Sequence, residues 1–381
     1  MNIYAENLFY SDHVQKSMVI NVEDGVINRI EPGSNQSCLS AENVAMGFID
    51  PHIHGGAGFD IMDFEASELR EWLAHLFNIG VTAVLPSVYT FSVPVMRKSL
   101  LQIKEAVKLQ AANLMGGAKI IGVHLEGPFI SHLQLGAMEE SFVLAPDIEK
   151  YKEVTDGCED IIRIVTLAPE VHGADRLIGY LKQKGVRVLA GHTDASYEEG
   201  LKAFDTGVSG ICHFYNASRG IHHREPGILA SAMMSPDIRC ELIGDMVHVH
   251  PALMNLLMAV KKDTRISLIS DAVKTTGLPD GEYLDGIQTI IVKNGESRLK
   301  NGKLNGGSCM LPLIVKKLMA DMRLDIHSLI KMASYSTRAY LGVNTEIEAG
   351  KTVDLIGMDK NLNLLWTLLG NETHKRNEAV L

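Results

Sequence analysis

Several apolar runs of this chain end in a residue that can bind a metal or move a proton. The clearest is Phe48-Ile49-Asp50-Pro51-His52-Ile53-His54-Gly55-Gly56; others finish at Glu126, His192, His213, His248 and Asp271. On a strand, residues i and i+2 point to the same face, so His52 and His54 can grip one ion together. Imidazoles with a carboxylate suit a divalent transition metal. Glu126, between the apolar Val123-His124-Leu125 and Gly127-Pro128, is costly to bury unless paired or metal-bound. One Glu with His192 and His213 leaves coordination positions open for water and substrate, as a catalytic site requires. Asp271, after Ile266-Ser267-Leu268-Ile269-Ser270, stays ionised beside a cation and suits a general base. An Asp there also suits a helix N-cap. His124 shares a strand face with Glu126 one layer deeper, and a packed core histidine describes it as well as a site role does. Together the residues read as a metal-dependent hydrolase.

Such residues need a scaffold that gathers strand ends. Apolar strands are expected at 47–53, 80–88, 118–126, 161–168, 186–192, 208–214, 240–247 and 265–271. Helical patterns fall between most of them, at 66–77, 93–109, 175–184, 198–204 and 251–261. Strand and helix alternating eight times predicts an α/β fold, a (β/α)8 TIM-like barrel with its active residues at the C-terminal strand ends. Asp24-Gly25 between two β-type runs signals a hairpin. A second hairpin is expected through 287–304, then helices near 311–322 and 325–341, and a return to strand around 353–357. The expected division is a small β-sandwich domain from 1–46 and 345–381, around a barrel spanning 47–344.

A net charge of −10 without a basic cluster argues against nucleic acid or an anionic membrane as partner. It leaves room for an anionic small substrate, since a few local cations suffice. Asn216, Ala217 and Arg224, in a Gly/Ser-rich turn after the sixth strand, could form an anion subsite. His248 or His250, on one strand face, could bond the substrate. The five cysteines are scattered without a CxxC pair, which fits free thiols in a reducing, cytoplasmic setting. The N-terminus has no signal-peptide pattern, and no apolar run reaches transmembrane length.

Taken in order, several segments resemble the N-acetylglucosamine-6-phosphate deacetylases of the amidohydrolase superfamily. They are Gly47-Phe48-Ile49-Asp50, His124-Leu125-Glu126-Gly127-Pro128-Phe129, Gly191-His192-Thr193-Asp194-Ala195, His213-Phe214-Tyr215-Asn216-Ala217, His223-Arg224-Glu225-Pro226-Gly227, His248-Val249-His250-Pro251, Ser270-Asp271-Ala272 and Leu278-Pro279-Asp280-Gly281. The resemblance runs nearly the whole length. It implies hydrolysis of the acetamide of a 6-phosphorylated amino sugar by a homodimer, with one or two divalent ions per subunit. Zn2+ is the first expectation, with Fe2+, Mn2+ and Co2+ as alternatives. It implies Glu126, His192 and His213 as principal metal ligands, His52 and His54 at a second position, and Asp271 as catalytic acid/base. It further implies substrate contacts from Ala137, Met138, Asn216, Ala217, Arg224, His248, Leu304, Asn305 and Gly306, some of them reaching a neighbouring subunit's site. Three departures stand out. Met138 replaces the family's usual His, Cys212 replaces a Thr, and Ser336-Thr337-Arg338-Ala339 replaces Asn-Pro-Ala. Met138 in particular leaves N-acetylgalactosamine 6-phosphate as an alternative substrate. A dihydroorotase- or dipeptidase-like amidohydrolase, and an idle sugar-phosphate sensor, are the competing readings. The first lacks its bridging lysine, because Glu126 takes that strand end. The second has no need of both a metal set and a base.

Overall fold

The computed structural model describes residues 1–36, 39–285 and 288–375. Cys38 and the last six residues of the expected terminal domain lie outside them.

Eight parallel strands form the barrel: Phe48–Ile53, Val81–Tyr89, Val123–Glu126, Ile162–Leu167, Arg187–Ala190, Val208–Ile211, Arg239–Ile243 and Ile266–Ile269. Each pairs with the next in chain order, and every expected strand is present. The first and eighth are buried along their whole length, as strands covered on both faces are. The third is interrupted. Lys119–Ile120 pairs separately, and Gly122 follows at φ +143, where a Cβ would come within 2.0 Å of Arg163.

The seam between the eighth and first strands is tied at the C-terminal mouth. Asp271 N–H donates to His52 O at 3.0 Å, and His54 N–H donates to Ala272 O at 2.7 Å. Beneath them, the buried Asp50 carboxylate accepts from Ser270 N–H at 3.2 Å. These bonds set His52, His54 and Asp271 side by side.

Amphipathic helices cover the barrel. Ala66–Asn78 buries Leu69, Trp72, Leu73, Leu76 and Phe77, the spacing of one helical face. Each such side chain contributes about 1.5–3 kcal/mol. Two helices lack a sequence expectation. Ile148–Thr155 is short and starts at Asp147, whose carboxylate accepts from Glu149 and Lys150 N–H. Gly227–Met234 is apolar on nearly every side and so shows no helical period. The helix expected at 325–341 is a continuous run, with α-helical ends around a π-helical Lys331–Tyr335.

Both termini contribute to one seven-stranded sheet beside the barrel. Its Asp24-Gly25 turn has φ of +49° and +74°, the left-handed pair that a two-residue hairpin requires. Arg338, a departure noted above, binds this sheet to the barrel. Its guanidinium donates to Gly47 O at 3.0 Å and to the Asp354 carboxylate at 2.6 Å. A three-stranded antiparallel sheet, Gly281–Asp285, Gln288–Lys293 and Glu296–Leu299, stands over the mouth. Its last two strands are the expected second hairpin. No described helix is long and apolar enough to cross a membrane.

Candidate active site

The strand ends converge as the spacing predicts. The Glu126 Oε1 atom lies 2.9 Å from His213 Nε2 and 3.3 Å from both His192 Nε2 and His52 Nε2. Its Oε2 lies 3.3 Å from His54 Nε2. Asp271 Oδ1 is 3.2 Å from His54 Nε2 and 3.5 Å from His52 Nε2. Two sets of ligand atoms result at the mouth, Glu126/His192/His213 and His52/His54/Asp271, and a third, His52/His124/Cys212, lies beneath them. The carboxylate of Glu126 faces both sets at the mouth.

The imidazoles are oriented from behind. His192 Nδ1–H donates to Gln134 O at 2.9 Å and His54 Nδ1–H to Ser87 O at 2.8 Å. His52 Nδ1 faces Glu241 Oε2 at 3.1 Å. With the proton on Nδ1 in each ring, Nε2 presents a lone pair inward. Yet His52 Nε2 and His54 Nε2 are 3.2 Å apart, as are His192 Nε2 and His213 Nε2. Facing lone pairs at that distance between His52 and His54, beside two carboxylates, call for a cation between them, and the orphaned Nδ1 of His213 leaves its Nε2 able to join. The donor set therefore fits a divalent transition metal.

The backbone is strained where three of these side chains leave the strands. His192, His213 and Asp271 have φ of +47°, +25° and +50°. Each left-handed non-glycine residue costs about 1–3 kcal/mol and persists only where its surroundings over-determine it. Burial would raise the carboxyl of Glu126, but His52, His192 and His213 hold it well below its ordinary value. Burial acts on Asp271 in the same way, and His52 and His54 outweigh it. Beside these imidazoles when charged, or beside a cation held between them, both carboxyls favour the ionised form.

These residues floor a cavity of about 580 Å³. Ala137, Met138, Asn216, Ala217, His248, Leu304, Asn305 and Gly306 line it with the metal-facing groups. His248 is fixed by Asp245, whose carboxylate meets Nδ1 at 2.8 Å and accepts from Ser308 N–H at 3.0 Å. Burial disfavours the charged imidazole, but Asp245 more than offsets this and raises the pKa of His248. His250, the alternative, instead caps the helix Pro251–Val260 by accepting from Ala252 N–H. His124 sits below the cavity, fully buried, bonded through Nε2 to Thr166 Oγ1 at 2.8 Å. Burial pushes its pKa well below the ordinary value, so it is a neutral core histidine. Arg224 is exposed and lies off this cavity, with its guanidinium against His223. Sequence reasoning missed Lys274, Lys303, Gln134 and Gln288, which also line the cavity. Nothing local marks them, because loops distant in sequence bring them there.

A nearly closed parallel barrel that gathers His, Glu and Asp side chains able to hold a metal at its C-terminal mouth defines a metal-dependent hydrolase class. The amidohydrolase family model matches residues 43–377, and the chain belongs to that family, in its branch of N-acetylglucosamine-6-phosphate deacetylases. It is 31% identical over 369 residues to the N-acetylglucosamine-6-phosphate deacetylase of Vibrio furnissii, covering 94% of this chain and 91% of that one. It is 32% identical over 349 residues to the N-acetylgalactosamine-6-phosphate deacetylase of Escherichia coli O157:H7, covering 91% of each. Among solved structures, an aspartate-to-alanine variant of N-acetyl-D-glucosamine-6-phosphate deacetylase from Mycobacterium smegmatis, in complex with N-acetyl-D-glucosamine-6-phosphate, superposes with a TM-score of 0.90. The two are 27% identical, over 98% of each chain. The Thermotoga maritima N-acetylglucosamine-6-phosphate deacetylase gives 0.88 at 29% identity, over 99% of this chain and all of the other.

Proposed function

We propose that the protein hydrolyses the acetamide of N-acetylglucosamine 6-phosphate, releasing acetate and glucosamine 6-phosphate, in amino-sugar catabolism. The convergence of Glu126, His192, His213 and Asp271 on one cavity carries this reading. The deacetylases among its relatives supply the substrate class.

Glu126, His192 and His213 hold the principal divalent ion, with Zn2+ the first expectation and Fe2+, Mn2+ or Co2+ alternatives. His52 and His54, beside Asp271, offer a second position. A bound ion supplies Lewis-acid polarisation of the amide carbonyl and a lower pKa for the attacking water. Asp271, held ionised, takes a proton from that water and returns it to the amide nitrogen as the C–N bond breaks. His248, pinned by Asp245, presents Nε2 to a substrate oxygen. Asn216, Ala217 and the segment Leu304-Asn305-Gly306 shape the sugar side of the cavity.

The proposed assembly is a homodimer. The helix Pro251–Val260 exposes Leu253, Leu256 and Val260, which share one helical face, and Met234 is 72% exposed on the neighbouring helix. The four described cysteines are free and buried, in keeping with a reducing cytoplasm.

The N-acetylgalactosamine 6-phosphate reading rests on Met138, which puts a thioether in the cavity where a hydrogen bond is usual. The test is acetate release by the metal-analysed protein from N-acetylglucosamine 6-phosphate, its galacto epimer and the unphosphorylated sugar. Release from phosphorylated sugars alone is expected, and the faster epimer identifies the substrate. No release from any of them refutes the assignment.

A further inference from the structure

The cavity contains two lysines, and their surroundings differ. Lys274 sits among acids: Asp60 and Asp285 line the same wall, and the charge of Lys274 acts on Asp60. Lys303 is placed differently. Among the described residues it forms no ion pair, and its Nζ meets only the Gly136 carbonyl, at 3.5 Å. Gly136 in turn lies against Ala217, since a Cβ on it would be 3.7 Å from that side chain. Lys303 therefore stands at the rim where the Asn216-Ala217 turn opens into the cavity. It follows the outermost strand of the mouth sheet, and Leu299 N–H donates to its carbonyl at 2.9 Å. Leu304, Asn305 and Gly306 continue from it along the cavity wall.

An unneutralised ammonium at the rim of the cavity has one evident use, since long cationic side chains there attract an anionic group. Arg224 stands off the cavity, so among the described residues of one subunit Lys303 is a rim cation without an ion pair that can meet that group. We infer that Lys303 is a specificity-determining residue that binds the phosphate of the substrate from within the same subunit. The phosphate then lies at the rim and the acetamide at the metal end. This rests on the proposed phosphosugar substrate.

A lysine acting as a point charge on a phosphate contributes to binding and leaves the amide chemistry untouched. The test measures kcat and KM for N-acetylglucosamine 6-phosphate and for N-acetylglucosamine, in wild type, Lys303→Gln and Lys303→Arg. Lys303 is exposed, and thermal unfolding checks that both variants fold as wild type does. Lys303→Gln should raise KM for the phosphorylated sugar about 10- to 100-fold with kcat nearly unchanged. It should leave the unphosphorylated sugar unaffected and weaken competitive inhibition by inorganic phosphate by a similar factor. Lys303→Arg should recover most of the loss. If wild type prefers the phosphorylated sugar and Lys303→Gln matches it, Lys303 has no such role. If wild type handles both sugars equally, the substrate class itself fails, and this inference fails with it.

Discussion

Glu241 tests whether the second metal position is built as the geometry indicates. Its Oε2 lies 3.1 Å from His52 Nδ1, with the two side chains 7% and 0% exposed. If the bond fixes the Nδ1–H tautomer, Glu241→Gln exchanges a charge-assisted acceptor for a neutral one. Such bonds contribute about 1.5–3 and about 0.5–1.5 kcal/mol respectively, so the change costs about 1–2 kcal/mol. That is about 5- to 30-fold in affinity, within the range typical of groups that orient metal ligands. The loss should fall on the position that uses His52, because His192 is oriented separately by Gln134 O. Metal-free protein titrated with Zn2+ against a competing chelator reads both affinities. The reasoning predicts a weakened His52/His54/Asp271 position and a Glu126/His192/His213 position within about twofold of wild type. Unchanged affinity at both, or an equal fall at both, would refute it.

Other consequences follow from the same contacts. Asp245→Asn removes the anion that raises the pKa of His248, so an alkaline limb of kcat/KM set by that imidazole should move to lower pH. The pair also links to folding. Asp245 is depressed, so its contribution is present above the ordinary carboxylate range and lost in acid. His248 is raised, so its contribution is full below about pH 6.5 and declines as pH passes its folded value. Unfolding of Asp245→Asn against pH should show the largest deficit between those limits. Arg338→Met strands the Asp354 carboxylate and should cost about 3–5 kcal/mol in denaturant unfolding, with metal binding retained while the protein is folded. Gly136→Ala forces an L-residue to φ +61° and brings a Cβ to 3.1 Å from His192 Cε1. It should lower kcat about 10- to 100-fold through misplacement of that imidazole, measured with full metal loading.

Legibility in the sequence follows the range of the interactions involved. The barrel strands are local apolar runs, and the candidate site residues sit where those runs end, so Glu126, His192, His213 and Asp271 stand out from residue type and position alone. The His52-x-His54 pair is readable from the two-residue strand period. Gly227–Met234 is hidden because a helix buried on nearly all sides has no polar face to set a period. Asp245, Glu241 and Gln134 orient ligands through contacts across the fold, and no spacing within the chain announces them. Lys303 reaches the cavity only because a turn beyond the mouth sheet meets the Gly136 loop. Arg224 shows the converse: its segment resembles the family's, yet the chain's own fold leaves it off the cavity.

The most direct test of the central claim is Asp271→Asn, assayed together for acetate release from N-acetylglucosamine 6-phosphate, metal content and equilibrium binding of that sugar. If Asp271 moves the proton while the imidazoles and Glu126 hold an ion, turnover should fall by about 10²–10⁴-fold. The Glu126/His192/His213 ion and the sugar should still bind nearly as in wild type. Acetate release close to the wild-type rate, with metal bound, would contradict the account.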